Sequence, residues 1–297
     1  MIPTPLDLAL HEAGGLKAQE KEMLSQHIQT LEAFEVCTLG EAEVLIGRRL
    51  GRVKWAPLLW IETARKSLWL LTRPGWGALL WGQAEYPAQL SVLSDAPYIL
   101  YWRGSLPNWN QVFVGMVGTR TPMEDTKRRA RDLALGFAER GVVVVSGLAR
   151  GIDAWSHVGA LDGGGTTLGV LPCPIDQIYP KSHGGLVKRI LAQGGTLLSE
   201  YAPGGTVRTF QFPQRNRIIS GLCRGVILVE APQRSGANLT MNWALEQGRD
   251  AFVLGSSAHP LRSAGNLKLA QEGATVIYKA QDVLDNWILA EHEVRYA

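Results

Sequence analysis

Residues 142–145 are four consecutive valines, and they lead directly into Ser146-Gly147-Leu148-Ala149-Arg150-Gly151-Ile152-Asp153. Four β-branched residues without polar alternation read as a strand buried on both faces. A parallel sheet covered by helices on either side provides that environment; a half-solvated antiparallel sheet does not. The residues that follow are small, flexible or hydrogen-bonding. Ser146, Gly147 and Gly151 allow close backbone approach, Asp153 fits the N-cap of a following helix, and Arg150 adds a positive charge. Open α/β sheets bind ligands where strands empty into such loops, and bare amides beside a guanidinium suit an anion.

The rest of the chain extends this pattern. Strands are expected at Val112–Val117, Val142–Val145, Thr167–Leu171, Thr196–Leu198, Val226–Val229, Phe252–Leu254 and Thr275–Tyr278. Helices are expected between them, at Met123–Arg140, Ala154–Asp162, Gly185–Gln193, Leu239–Gln247 and Ala264–Glu272. Such alternation defines βαβ units and a doubly wound, mostly parallel α/β sheet. The N-terminal part differs. Leu6–Ala13, Ala18–Leu31 and Leu39–Arg49 read as short helices, so residues 1–84 are expected to form a small module, helical in its first half. Residues 85–280 hold the α/β domain, and 281–297 a short helix or tail.

Composition narrows the function. The 297 residues are 46% hydrophobic and 19% charged, as in an ordinary globular protein. The net charge of +3 means that nucleic-acid affinity has to come from local patches. Cys37, Cys173 and Cys223 are isolated, which argues against a thiolate metal site or a disulfide framework and fits a reducing cytoplasm. Neither a signal peptide nor a membrane-spanning run is legible. Between Arg48 and Arg73 there are seven Lys/Arg and one acid, and five tryptophans fall between Trp55 and Trp81. That segment is either a tryptophan-rich core with a solvated basic face or a single-strand contact.

Five loops carry candidate chemistry. Gly118-Thr119-Arg120 follows the first strand of the alternation at a loop-to-helix junction and suits a phosphate, although Arg120 can also pair with Glu124. It is not G-x-G-x-x-G, and the next strand ends in Ser146-Gly147 rather than in a ribose-binding acid, so a dinucleotide cofactor is not expected. The Ser146–Asp153 loop is the second, with His157 given a structural role. Lys181, after Tyr179-Pro180, is a loop cation. Arg215-Asn216-Arg217 opens a short helix at Pro213; arginines two apart diverge by about 200°, so one of them can instead brace the sheet. Ser235-Gly236 before a helix is an anion-binding layout, with Glu230 at the preceding strand end either catalytic or orienting the arginines. No P-loop, metal cluster or nucleophile accompanies them. The inventory suits a groove for a phosphate chain, with no cofactor and no catalytic residue.

Together these segments resemble the DprA/Smf family of DNA-processing proteins from natural transformation. The resemblance rests on Val117-Gly-Thr-Arg120, Ser146–Asp153, His157–Leu161, Tyr179-Pro180, Ser199-Glu200, Phe212–Leu222, Val229–Ala231 and Ser235-Gly236, in order over about residues 85–280. It implies an extended Rossmann-like fold. It also implies a non-catalytic homodimer that binds and protects single-stranded DNA and loads RecA onto it, without a membrane partner. Gly118, Thr119, Arg120, Ser146, Gly147, Lys181, Arg215, Asn216, Arg217, Ser235 and Gly236 are then expected to line the DNA pocket. Two departures stand out: His183 where family members commonly carry asparagine, and no room for a C-terminal winged-helix domain. The N-terminal helices are similar to the family's SAM-like or helix-hairpin-helix module. The rival reading is a nucleotide or nucleoside-monophosphate hydrolase of the lysine-decarboxylase-like type, for which Pro203-Gly-Gly-Thr206 is only a partial motif.

Overall fold

The structure, a computed structural model, describes residues 3–51, 53–255 and 261–296. Five helices come first: α1 (Pro5–His11), α2 (Ala18–Ile28), α3 (Leu31–Val36), α4 (Leu39–Ile46) and α5 (Pro57–Leu71). Thr4, Thr30 and Thr38 cap α1, α3 and α4 by accepting a backbone N–H. β1 (Trp76–Leu80), the one-turn α6 (Ala88–Ser91) and β2 (Ile99–Gly104) follow. Strand and helix then alternate: β3 (Phe113–Val117), α7 (Glu124–Ala138), β4 (Val143–Ser146), α8 (Ile152–Asp162), β5 (Thr167–Val170), α9 (Gly184–Ala192) and β6 (Thr196–Ser199). The series closes with α10 (Gln211–Leu222), β7 (Gly225–Leu228), α11 (Gly236–Glu246), β8 (Asp250–Leu254), α12 (Ala264–Gln271), β9 (Thr275–Ile277) and α13 (Ala280–Tyr296).

The nine strands form one sheet in the order β1-β2-β6-β5-β4-β3-β7-β8-β9. From β6 to β9 every pairing is parallel, while β1 and β2 add an antiparallel edge. All seven strands of the expected alternation are present. β1 and β2 escaped the reading because only a single turn of helix separates them, which gives no βαβ rhythm. β1 falls within residues 1–84, the stretch assigned to the N-terminal module, yet it is hydrogen-bonded into the sheet.

The valine run behaves as its composition demands. Val143 and Val145 pack with Ile218, Ile219, Leu222 and Met241 beneath α10 and α11. Val144 points the other way, among Ala134, Phe137 and Ala160 of α7 and α8. Each such buried side chain contributes about 1.5–3 kcal/mol, so both faces of β4 hold the layers together. A third cluster joins Leu8, Leu24, Phe34 and Trp60 of the N-terminal helices to Tyr101, Leu148, Ile190 and Leu197. The helical module is therefore seated on the β2–β6 side of the sheet, where it covers Leu148 of the valine-strand loop. Trp55 and Trp60 pack against Phe34 in that core, so part of the tryptophan-rich segment is structural. Among the described residues no helix is long and apolar enough to cross a membrane.

Between β3 and β7 the chain's direction of strand addition reverses, which makes this the topological switch point of the sheet, where a crevice opens at the strands' carboxyl ends. The α7–α8 contact that frames it is close: a Cβ on Gly159 would overlap the carbonyl of Arg131. Gly159→Ala is therefore expected to cost about 1–3 kcal/mol. Gly184→Ala, where nothing lies within 4 Å, should leave the urea midpoint unchanged or raise it; equal midpoints for the two variants would refute this packing.

Candidate functional site

Three strand ends are knitted together at the switch point. The Val229 amide donates to Val117 O at 2.9 Å, Thr119 N to Glu230 O at 2.7 Å, and Ile152 N to Thr119 O at 3.1 Å. Glycine is required where these segments cross. A Cβ on Gly118 would lie 2.6 Å from Ile152 Cγ1. Gly151 holds φ +80° and sits against the Thr119 carbonyl. The Gly118–Arg120 turn is thus clamped between the loops after β4 and β7, and Arg120 is left at the surface.

Beside this turn lies a cavity of about 530 Å³, a size suited to a nucleotide-scale ligand. Its charged lining is Arg120, Arg215, Arg234 and Asp153, and its polar lining includes Thr119, Asn216, Ser235 and Thr240. Phe212, Ile219 and Leu239 give it an apolar side. Ser235 caps α11, its hydroxyl accepting from Ala237 N at 3.3 Å, so the positive end of an eleven-residue helix opens onto the same space. The side chains of Arg120 and Arg234 are exposed and form no hydrogen bond or ion pair among the described residues.

Arg215 differs. It is 6% exposed, and its Nη1 donates to the carbonyls of Gly147, at 2.6 Å, and of Val170. Its Nε donates to Asn216 Oδ1 at 3.2 Å. Burial lowers its pKa to about 10, opposed by the nearby Asp153 carboxylate. Asp153 in turn accepts from Gly147 N at 3.1 Å and Ala149 N at 3.3 Å, with burial raising its pKa against the pull of Arg215. The expected role of Asp153 as an N-cap is corrected: it lies inside α8, behind a Gly151 cap, and braces the preceding loop instead.

Of the expected pocket residues, Gly118, Thr119, Arg120, Arg215, Asn216, Ser235 and Gly236 line this cavity. Four do not. Ser146 is fully buried and donates to Met116 O at 2.6 Å. Both the amide and the carbonyl of Gly147 are taken by Asp153 and Arg215, and a Cβ there would strike that guanidinium. The Ser146–Gly147 turn is therefore scaffold, because its polar groups are spent internally.

Arg217 is also corrected. It is 8% exposed and paired with Asp95 at 2.9 Å and with Glu200. Burial opposes its charge, but the two carboxylates more than offset that and raise its pKa. Those acids are distant in sequence, so their capture of Arg217 was not legible. Lys181 is exposed in a 3-10 turn outside the lining, two residues after Tyr179, whose ring meets Phe212 edge-on at 5.0 Å.

Arg234 is the cavity residue the sequence reading passed over, although it is the sole cation of the Glu230–Thr240 loop. Glu230 is buried and accepts the Thr126 hydroxyl, away from the cavity. Thr167 gives its hydroxyl proton to Val144 O, so it accepts from His157 Nδ1 at 2.8 Å, and His157 is a neutral structural residue. His183 donates through Nδ1 to Leu148 O at 3.0 Å, fixing the loop in which Leu148 holds φ +55°.

Fold and site together define a Rossmann-like protein with an arginine-lined cavity at its switch point. The sequence profile of DNA recombination-mediator protein A matches residues 77–288, and the chain belongs to that family. It is 41% identical over 199 residues to DNA processing protein DprA of Streptococcus pneumoniae, covering 67% of this chain and 70% of that protein. It is 36% identical over 286 residues to protein Smf of Escherichia coli, covering 96% and 75%. The solved structure of Streptococcus pneumoniae DprA superimposes with a TM-score of 0.76 at 33% identity, over 96% of this chain and 98% of that one. DNA processing protein A of Helicobacter pylori, solved for its single-stranded DNA binding mode, gives 0.64 at 29% identity, over 72% and 96%.

Two stability outcomes follow. Arg217→Met leaves Asp95 and Glu200 without their cation and should cost about 2–3 kcal/mol, discounted from about 3–5 for a fully buried pair; Arg120→Ala should cost under about 0.5 kcal/mol. Urea denaturation separates them, and equal costs would contradict the assignment. Second, burial holds His11 and His157 neutral, with pKa values lowered from 6.5 to about 3. Each takes up a proton only on unfolding, so the stability it allows is complete above about pH 6.5 and is lost as pH falls toward 3. His157→Gln should flatten the dependence of unfolding free energy on pH below 6.5 by about 1.4 kcal/mol per pH unit. An unchanged slope in urea titrations would count against a neutral buried ring.

Proposed function

We propose that the switch-point cavity binds the backbone of single-stranded DNA without sequence preference, and that the chain serves as a recombination mediator in natural transformation. One observation carries this reading: two exposed guanidiniums, Arg120 and Arg234, flank a cavity at the positive end of α11, and neither is in an ion pair among the described residues. An arginine without a partner in the free protein offers its full hydrogen-bonding fork to a phosphate. Asn216, Ser235 and the Gly118–Thr119 backbone add neutral polar contacts, and Phe212 offers a ring to a base. Lys181, two residues beyond the Tyr179 whose ring meets Phe212, supplies a further phosphate contact outside the cavity lining. Asp153 does not act as an acid or base in this reading, since its carboxylate is engaged by two loop amides.

The family supports the biological setting. The Helicobacter pylori relative is described by its single-stranded DNA binding, and the matching profile is that of a recombination mediator. In that setting the protein protects an incoming strand, hands it to the RecA recombinase and acts as a homodimer in the cytoplasm, with no chemical step of its own.

Fluorescence anisotropy with oligothymidylate across a salt series tests the reading. Four phosphates held by Arg120, Lys181, Arg215 and Arg234 give a slope of log K against log salt near −3, at about −0.7 per phosphate. Arg120→Ala and Arg234→Ala should each weaken binding about tenfold and remove about 0.7 from the slope. Single-strand affinity equal to wild type in both variants would overturn the assignment. Release of free base from nucleoside monophosphates would favour the hydrolase instead.

A further inference from the structure

We propose that Trp69, Arg73, Trp76 and Arg103 form a second contact for single-stranded nucleic acid, remote from the switch-point cavity. Trp69, at the end of α5, is 66% exposed. The Arg73 guanidinium lies 5.1 Å from the Trp69 ring centre and 5.6 Å from that of Trp76. Arg103 lies 5.0 Å from the Trp76 ring centre and is its direct cross-strand partner in the β1–β2 ladder. A neighbouring ring fixes this arrangement from beneath: Trp102 lies across Gly77, where any Cβ would collide with the indole at 2.6 Å.

Charge makes the cluster unusual. Two guanidiniums share one indole, and neither forms an ion pair or side-chain hydrogen bond among the described residues. Burial lowers the pKa of Arg103, and the neighbouring Arg73 lowers it further. Like charges held together without a carboxylate are unfavourable unless an anion joins them. In the same segment Arg48 is matched by Glu20 and Lys66 by Glu62, whereas among the described residues Arg73 and Arg103 meet only each other and the indoles. The ligand chemistry follows from the mixture. A patch meant for an acidic peptide needs only the cations, whereas Trp69 offers an open aromatic face beside them, and a base stacked on indole next to a phosphate uses both.

The position favours a strand that already occupies the cavity. Gly104, the residue after Arg103, pairs with Thr196 at the start of β6, so the platform lies at the amino-terminal ends of the parallel strands. The cavity lies at their carboxyl ends, so the two sites do not compete. The proposal shares with the functional reading only its ligand class.

The test measures binding of the full chain to an oligothymidylate of about 40 nucleotides over a salt series. Trp69→Ala and the exposed Arg73→Glu are compared with Arg120→Ala. The platform holds if Trp69→Ala weakens binding about tenfold and Arg73→Glu lowers the salt slope by about 0.7 or more, with unchanged urea midpoints. It fails if both bind as wild type does, and it fails equally if they lose only affinity for a polyglutamate peptide. Loss in the platform variants with none in Arg120→Ala upholds the platform and overturns the cavity reading. Loss in Arg120→Ala alone does the reverse.

Discussion

The site is organised around a buried positive charge. Arg215 reaches from the second turn of α10 to the carbonyls that end β4 and β5, and Asp153 at the start of α8 balances it. Four elements thereby meet on one guanidinium and one carboxylate. The chain accommodates this contact at a specific point: Gly147 has no side chain where the guanidinium lies. Removing the guanidinium leaves the Gly147 and Val170 carbonyls without their donor, and an unsatisfied buried group typically costs about 1–3 kcal/mol. The valine strand and its loop are thus held in register by electrostatics as well as by burial.

From that anchor follows a division among the arginines. Arg217 is consumed by two acids and joins α10 to the segment carrying Asp95 and to the end of β6. Arg215 is consumed mostly by backbone carbonyls and presents part of itself to the cavity. Arg120 and Arg234 form no ion pair or side-chain hydrogen bond among the described residues, although Arg120 feels the Asp153 carboxylate at a distance. A cation already paired has to give up its partner before it can take a ligand, and one that is free but rigidly based does not. The clamp on Gly118–Arg120 supplies the rigid base. Glu200 extends the network further, since its carbonyl takes a hydrogen bond from His11 of the N-terminal module at 2.8 Å.

Much of the architecture was legible because hydrophobic pattern encodes it directly. The valine run, the small residues after it and the strand–helix rhythm from residue 112 fixed the parallel sheet and the loops that gather at its carboxyl edge. What escaped the sequence were interactions between residues far apart in the chain. The partners of Arg217 lie at positions 95 and 200, and the amides bound by Asp153 become its neighbours only once the loop has folded back. Ser146 and Gly147 looked like contacts because small polar residues serve scaffold and ligand equally well. Arg234 was overlooked because Ser235–Gly236 beside it gave a more familiar signal. In the tryptophan-rich segment the sequence left core and surface readings side by side, and the structure divides them: Trp55 and Trp60 are core, while Trp69 and Trp76 carry arginines.

The central claim, that a single strand lies in the switch-point cavity, is tested most directly by photocrosslinking with mass-spectrometric mapping. A 5-iodouridine oligonucleotide bound to the full chain is irradiated, and the adducts are assigned by residue. Phe212 is the aromatic ring that lines the cavity, and the account predicts adducts on the peptide that carries it, suppressed by excess unlabelled oligothymidylate. Efficient crosslinking that leaves residues 117–120, 212–219 and 232–240 unmodified would contradict it.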